Sequence, residues 1–457
     1  MSVRGGLVAV GLFSGLVASS SCSRCNPGGA PANELAAAVA NASGSADGGG
    51  SSRCTTVGAP RVLGAREGED AAAAEGPAAY GAEVGGAIAD AKGFVLGLRG
   101  AGLTGAAQVL ELPLDGGAPR TLATLPSFPG GARAPLVSVS REGARLVGTL
   151  SIGPSARTFH LWRLEEAGQA LVPLGEVPQG KDESEVTTFA GAVADPLIAW
   201  DDADEALRIG RVRAVLLGKR KPAAGSSEPS PSKSLPKDAA PLLEGEDDVA
   251  SPPSSDAAWP MLVASPRGDR AVLLWSSERP ESDPVDGGEG EPSQAFAFRW
   301  IEAVVVDLGT GARLGAPHAL TPRDGHAQTF SASWGESGLF LAVRDDPRPT
   351  DGDGGALFAV RAAIDASGAI GEPTRIVVAD KDVAPGLASL LPRTGGAWVS
   401  WLDADGSHHL TPAFLQGSAT VEPALRERRV LSSREGRVLA SRLVGSGVEL
   451  SIVRCDL

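Results

Sequence analysis

One motif recurs along this chain and limits the folds open to it. It is a short strand ending in small residues, then a tight turn with glycine, then an apolar strand. Clear copies are Val137-Ser-Val-Ser-Arg-Glu-Gly143, Val263-Ala-Ser-Pro-Arg-Gly268 and Val430-Leu-Ser-Ser-Arg-Glu-Gly436. Looser copies are Ile88 to Gly93, Ser331 to Gly338 and Leu390 to Gly395, and the weakest is Val193-Ala-Asp-Pro196. Glycine serves where a turn takes positive φ, and proline presets its first corner. A lone hairpin is marginal in water, so regularly spaced hairpins must stack on one another.

Apart from two long steps, the turns recur at roughly 40–55 residues, which is propeller-blade spacing. The long steps, Pro196 to Gly268 and Gly268 to Gly338, each hold a low-complexity insert. One spans 218–258, rich in Pro, Ser and Lys and then acid; the other spans 278–292. Both are expected to be disordered insertions. Helical periodicity is nearly absent. The reading is an all-β, seven-bladed β-propeller of four-stranded antiparallel blades. A pair of β-sandwiches or a barrel array is the alternative.

The repeat resembles that of TolB-like β-propellers, whose first hairpin reads Ser-Pro-Asp-Gly before an apolar strand. Ser265-Pro266-Arg267-Gly268 is the nearest copy. The third strand of that family often ends in Asp-Leu-x-x-Gly, followed later by Leu-Thr. Val306-Asp307-Leu308-Gly309-Thr310-Gly311 with Leu320-Thr321 looks like this, as does Leu114-Asp115-Gly116-Gly117 with Thr121-Leu122. The resemblance covers residues 81–457 and concerns repeat architecture only. It implies the propeller fold and carries over no binding residue.

The chain begins like an exported protein. Arg4 precedes an apolar stretch, Leu7 to Val17, too short to span a bilayer as a helix. Small residues Ala18 to Ser21 then precede Cys22, an arrangement that suits lipidation of that thiol. Residues 1–21 are read as a signal peptide, 22–53 as a disordered Gly/Ala/Ser-rich tether, and 54–457 as the propeller.

A propeller must join its last blade to its first. The last hairpin is followed by one strand, Val448 to Arg454, which leaves that blade a strand short. Gly58 to Leu63 is β-like and fits as the missing outer strand, antiparallel to it. That places Cys54 near Cys455. A disulfide there would close a very long loop, worth on the order of 5 kcal/mol in the chain-entropy model. Pairing of Cys25 with Cys54, or four free thiols, are the alternatives.

With 41 basic and 55 acidic residues the net charge is −14, which argues against nucleic acid as a partner. The acid is concentrated where second strands end. Trp200 precedes Asp201 and Asp202, Trp275 precedes Glu278, and Leu341 precedes Asp345, Asp346, Asp351 and Asp353. Trp401 precedes Asp403 and Asp405. In a propeller these loops share one face, so an acidic binding face is expected, able to focus cations or a basic partner. Calcium at Asp351-Gly-Asp353 or Asp403-Ala-Asp405 fits hard-oxygen chemistry but lacks the EF-hand spacing. No metal or other cofactor is expected.

The remaining motifs carry less. Gly100-Ala-Gly102-Leu-Thr-Gly105 fits a dinucleotide pattern, but a strand-like segment follows it where a helix is needed. The histidines at 160, 318, 326, 408 and 409 show no metal-ligand spacing. No nucleophile elbow or phosphate loop follows the signal segment. Trp200, Trp275, Trp398 and Trp401 read as packing between blades. The sum is a monomeric cell-envelope lipoprotein acting as a non-enzymatic binding or scaffold module for a protein or glycan. Its only membrane attachment is the N-terminal lipid. A soluble periplasmic or secreted form, and a glycan-directed hydrolase or lyase, are the alternatives.

Overall fold

The computed structural model describes residues 52–65, 81–90, 92–102, 104–153, 157–165, 170–179, 187–204, 209–217, 251, 256–280, 297–347, 355–384, 386 and 388–457. Cys22, Cys25, Asp351 and Asp353 lie outside them. Strand β1 (Cys54–Leu63) comes first. Blade one is β2 (Glu83–Ala89), β3 (Gly93–Arg99), β4 (Ala107–Pro113) and β5 (Arg120–Thr124). Blade two is β6 (Leu136–Val139), β7 (Arg145–Ile152), β8 (Arg157–Glu165) and β9 (Ala170–Gln179). Blade three is β10 (Thr187–Ala192), β11 (Asp195–Asp204) and β12 (Ile209–Leu216), three strands among the described residues.

Blade four is β13 (Asp256–Ala264), β14 (Arg270–Pro280), β15 (Ala297–Asp307) and β16 (His318–Ala319). Blade five is β17 (Ala327–Gly335), β18 (Gly338–Asp345), β19 (Gly355–Ala362) and β20 (Thr374–Val383). Blade six is β21 (Ser389–Arg393), β22 (Gly396–Leu402), β23 (His408–Ala413) and β24 (Thr420–Val421). Blade seven is β25 (Arg429–Arg434), β26 (Arg437–Val444) and β27 (Gly447–Cys455), completed by β1. All pairings within blades are antiparallel, and the first strands of successive blades neighbour one another until β25 returns to β2. The chain is a seven-bladed propeller with the repeat architecture read from its hairpins. No described helix is long and apolar enough to cross a membrane.

Burial explains the strand sequences. Each blade packs a neighbour on both faces, so second strands are apolar almost throughout: every residue of Gly93–Arg99 is buried. Outer strands alternate or face water, as β1 and β20 do. The apolar core is divided among the seams between blades. Trp200 and Trp275 pack the seams on either side of blade three, Trp398 the seam between blades six and seven, and Trp401 that between five and six. At one seam no side chain fits: a Cβ on Gly97 would stand 1.8 Å from the Pro135 carbonyl oxygen.

One edge of each span read as an insert lies in a strand. β13 begins at Asp256, inside the span read as 218–258, and β14 runs to Pro280, inside that read as 278–292. The charged and proline-rich composition hides these ends, which strand pairing holds: Asp256 stands opposite Glu278, and Pro280 opposite Ala297.

Closure follows the expected geometry. β1 pairs with β27 from Cys54 opposite Cys455 to Leu63 opposite Val448, with a bulge between Val57 and Arg61. The Cys54–Cys455 disulfide joins Cα atoms 4.1 Å apart. A second fastening was not visible in the sequence. The fully buried Glu422 carboxylate accepts hydrogen bonds from Ser52 Oγ (2.9 Å), Arg53 N (3.1 Å), Cys54 N (3.0 Å) and Thr420 Oγ1 (2.7 Å).

Candidate functional site

Antiparallel order puts the end of every second strand and the start of every first strand on one face. The described acidic residues singled out above gather there, and Glu278, Asp345 and Asp403 are each matched by a base on another strand. Glu278, at the end of β14, accepts from Arg299 Nε at 2.6 Å. Arg299 also donates to Gln328 Oε1 (3.0 Å), and Gln328 Nε2 donates to the Asp346 carbonyl (3.1 Å). The Asp346 carboxylate takes Arg344 Nη2 at 2.5 Å, and both side chains are buried. Burial lowers the Arg344 guanidinium, and Asp346 works against that shift. Asp345 accepts from His326 N (3.2 Å) and Arg375 Nη2 (3.2 Å). These contacts form one network across the seam of blades four and five.

The first strand of blade four reaches this network. At its bulge, Trp259 takes a φ of 58°, a conformation a bulky side chain adopts only when its surroundings impose it. Its N–H points to Asp201 Oδ2 of blade three at 3.5 Å, and the Arg299 guanidinium lies 6.0 Å from its ring centroid. Trp259 is half-buried and packs on the apolar seam below. Asp202 stands opposite Arg211 in the β11–β12 ladder, and its side chain is outside the described residues.

Blade six is separate. Asp403 Oδ2 accepts from His409 Nε2 at 2.7 Å, and the His409 ring stacks on Trp401 at 4.2 Å. Asp403 Oδ1 and Asp405 Oδ1 both accept from Ser407 N, at 2.8 Å each. Hydrogen bonding shared with Asp403 and Ser407 pulls Asp405 down to about 2. The same economy builds the turns on the opposite face: Asp307 Oδ1 accepts from Gly309 N and Thr310 N, and Asp365 Oδ1 from Ser367 N and Ala369 N. Among the described residues no three acidic, His or Cys side chains are arranged to hold a metal ion.

Sequence reasoning located the acids and missed their partners. Arg299, Arg344, Arg375 and His409 carried no motif; register brings Arg299, Arg375 and His409 to their carboxylates, and Arg344 meets Asp346 along its own strand. Arg429 was missed as well. It opens the innermost strand of blade seven, its Nε has no hydrogen-bond partner among the described residues, and burial lowers it to about 10. The glycine-rich Gly100 to Gly105 segment is a loop entering strand β4. His408 and His409 face opposite ways, as neighbours on a strand must: His408 to Ser400, His409 to Asp403.

No protein-family model matches the chain, and no curated protein sequence does. Solved structures that resemble it include the β-propeller domain of the Trilobed protease from Pyrococcus furiosus, at 9% identity, covering 82% of this chain and 96% of that one with a TM-score of 0.41. The α-L-arabinofuranosidase Arb93A from Fusarium graminearum is similar at 11% identity, 81% and 93% coverage and a TM-score of 0.40. A protein of unknown function from Dyadobacter fermentans is similar at 12% identity, 88% and 99% coverage and a TM-score of 0.39.

Proposed function

We propose that this chain is an exported, lipid-anchored propeller of the cell envelope that binds a protein or glycan partner without transforming it. The partner meets the face carrying the second-to-third-strand loops, at the seam of blades three, four and five. The observation that carries this reading is Trp259, held at a strained φ on the innermost strand between Asp201 and the Arg299–Glu278 pair. An aromatic half-open to solvent and ringed by ion-paired polar groups offers an apolar platform together with hydrogen-bonding specificity. Export is supported by the disulfide, which belongs to an oxidising compartment, and by the small residues before Cys22.

Affinity capture from detergent-solubilised envelope, comparing the wild type with Trp259→Ala at equal thermal stability, tests the site. Loss of the captured partner supports it, and equal capture overturns it. Labelling with a palmitate analogue, wild type against Cys22→Ser, tests the anchor: label absent from the wild type, or kept by the variant, refutes it.

A further inference from the structure

Blade two contains a hydrogen-bonded chain that the binding reading does not use. Ser151 on β7, His160 on β8 and Glu176 on β9 share one face of the blade, because His160 stands opposite Thr149 and Glu176, and Ser151 opposite Thr158. That face turns to blade one, where Trp162 packs against Val109 and Leu122. Ser151 Oγ lies 2.9 Å from His160 Nε2, and His160 Nδ1 lies 3.1 Å from Glu176 Oε1.

The proton positions follow from the partners. An ionised carboxylate only accepts, so Nδ1 carries the hydrogen and Nε2 presents its lone pair to Ser151. The Thr158 carbonyl is also within reach of the hydroxyl, at 3.2 Å, but the imidazole nitrogen is the nearer acceptor. Phe128 at 4.7 Å and Trp162 at 5.7 Å flank the ring and hold its plane. Burial holds His160 below the ordinary histidine value against the upward pull of Glu176, so the ring is a neutral base at pH 7. The group is partly exposed: Ser151 is half-buried, and side-chain exposures are 14% for His160 and 38% for Glu176.

Blade six supplies an internal contrast. Ser400 Oγ stands 2.7 Å from His408 Nε2, but His408 Nδ1 donates to the Arg428 carbonyl (3.0 Å), and Ser400 and His408 are both buried. That pair has no carboxylate and is shut off from solvent, whereas the blade-two group has a carboxylate and is partly exposed.

We propose that Ser151 is an activated nucleophile for acyl transfer from small carboxylic esters, with His160 as its general base and Glu176 as the residue that positions His160. Ser151 Oγ forms a bond to the acyl carbon while its proton passes to His160 Nε2. The carbon–alkoxide bond breaks as that proton moves to the leaving alcohol. Water, deprotonated by the same nitrogen, then bonds to the acyl carbon; the bond from that carbon to Ser151 Oγ breaks, His160 Nε2 returns the proton to Oγ, and the carboxylic acid leaves.

Covalent labelling of the full chain by a fluorophosphonate probe tests this, since it needs only the nucleophile and its base. The Oγ–P bond forms, fluoride leaves, and the proton goes to His160. Peptide mapping should place the adduct on Ser151, with none on Ser400. Ser151→Ala should abolish labelling, and His160→Gln should slow it by about 100-fold or more. Glu176→Gln should slow it about tenfold, with partial recovery in Glu176→Asp, which a merely structural carboxylate would not give. Wild type unfolded in urea should not label, which keeps the test valid where a variant fails to fold. Absence of labelling in the native wild type, equal labelling after unfolding, or an undiminished rate in a folded His160→Gln protein would each overturn the proposal.

Discussion

At the residue scale, two side chains lowered by burial carry charge arguments of opposite kinds. Arg429 is half-buried, with its Nε enclosed and without a hydrogen-bond partner among the described residues, and its lowered value has burial as its cause. An enclosed guanidinium nitrogen left without a partner costs free energy that an apolar side chain of similar length would not. Arg429→Met is therefore expected to raise stability by about 1–2 kcal/mol, read as a higher urea midpoint with unchanged slope; a fall would show that the guanidinium has a stabilising partner. His408 is buried as the neutral imidazole, lowered by burial from 6.5 to about 4. The unfolded chain binds the proton first, so stability is full above about pH 6.5 and declines as pH falls toward 4, then levels. The loss is about 3 kcal/mol for this one group. Comparing urea midpoints at pH 7 and pH 5 in the wild type and His408→Gln checks it, the variant losing the smaller amount. These environments were not legible in the sequence, where Arg429 and His408 are one arginine and one histidine on strands. Burial depends on which blade arrives beside them.

At the element scale, the fastening of β1 decides whether blade seven is complete. Two devices hold it: the Cys54–Cys455 bridge and the Glu422 carboxylate that gathers the N–H groups of Arg53 and Cys54. Removing the disulfide with a Cys54→Ser/Cys455→Ser pair is expected to cost about 2–5 kcal/mol. Hydrogen exchange should then rise first in β1 and β27, where the closing seam opens, and last in β14 and β15. Uniform loss of protection would mean that the bridge acts on the whole unfolded chain and not on this edge. The disulfide was legible from the sequence because ring closure needs a fourth strand, and the only spare β-like segment begins just after Cys54. Glu422 was not legible. It follows β24, two strands away from any obvious role, and becomes a latch only when blades six and seven meet.

At the scale of the whole molecule, several carboxylates of the expected acidic face are held in ion pairs. The carboxylates at the strand ends of blades four and five are neutralised by Arg299, Arg344 and Arg375, and that of Asp403 is matched by His409. Among the described residues these strand ends thus carry paired charges, and long-range attraction of a basic partner through them should be weak. Capture of the partner is expected to change less than about threefold between 50 and 500 mM salt; a steep decline would favour recognition through an open acidic face. The sequence by itself determined the ring. Turn glycines at blade spacing and strands apolar on both sides leave little choice but stacked sheets, and the spare terminal strand dictates how they close. Only the tertiary structure decided what the acids do, where the inserts end, and that Ser151, His160 and Glu176 stand in line. Those outcomes depend on cross-strand register and on neighbouring blades, which bring together residues whose spacing along the chain carries no period.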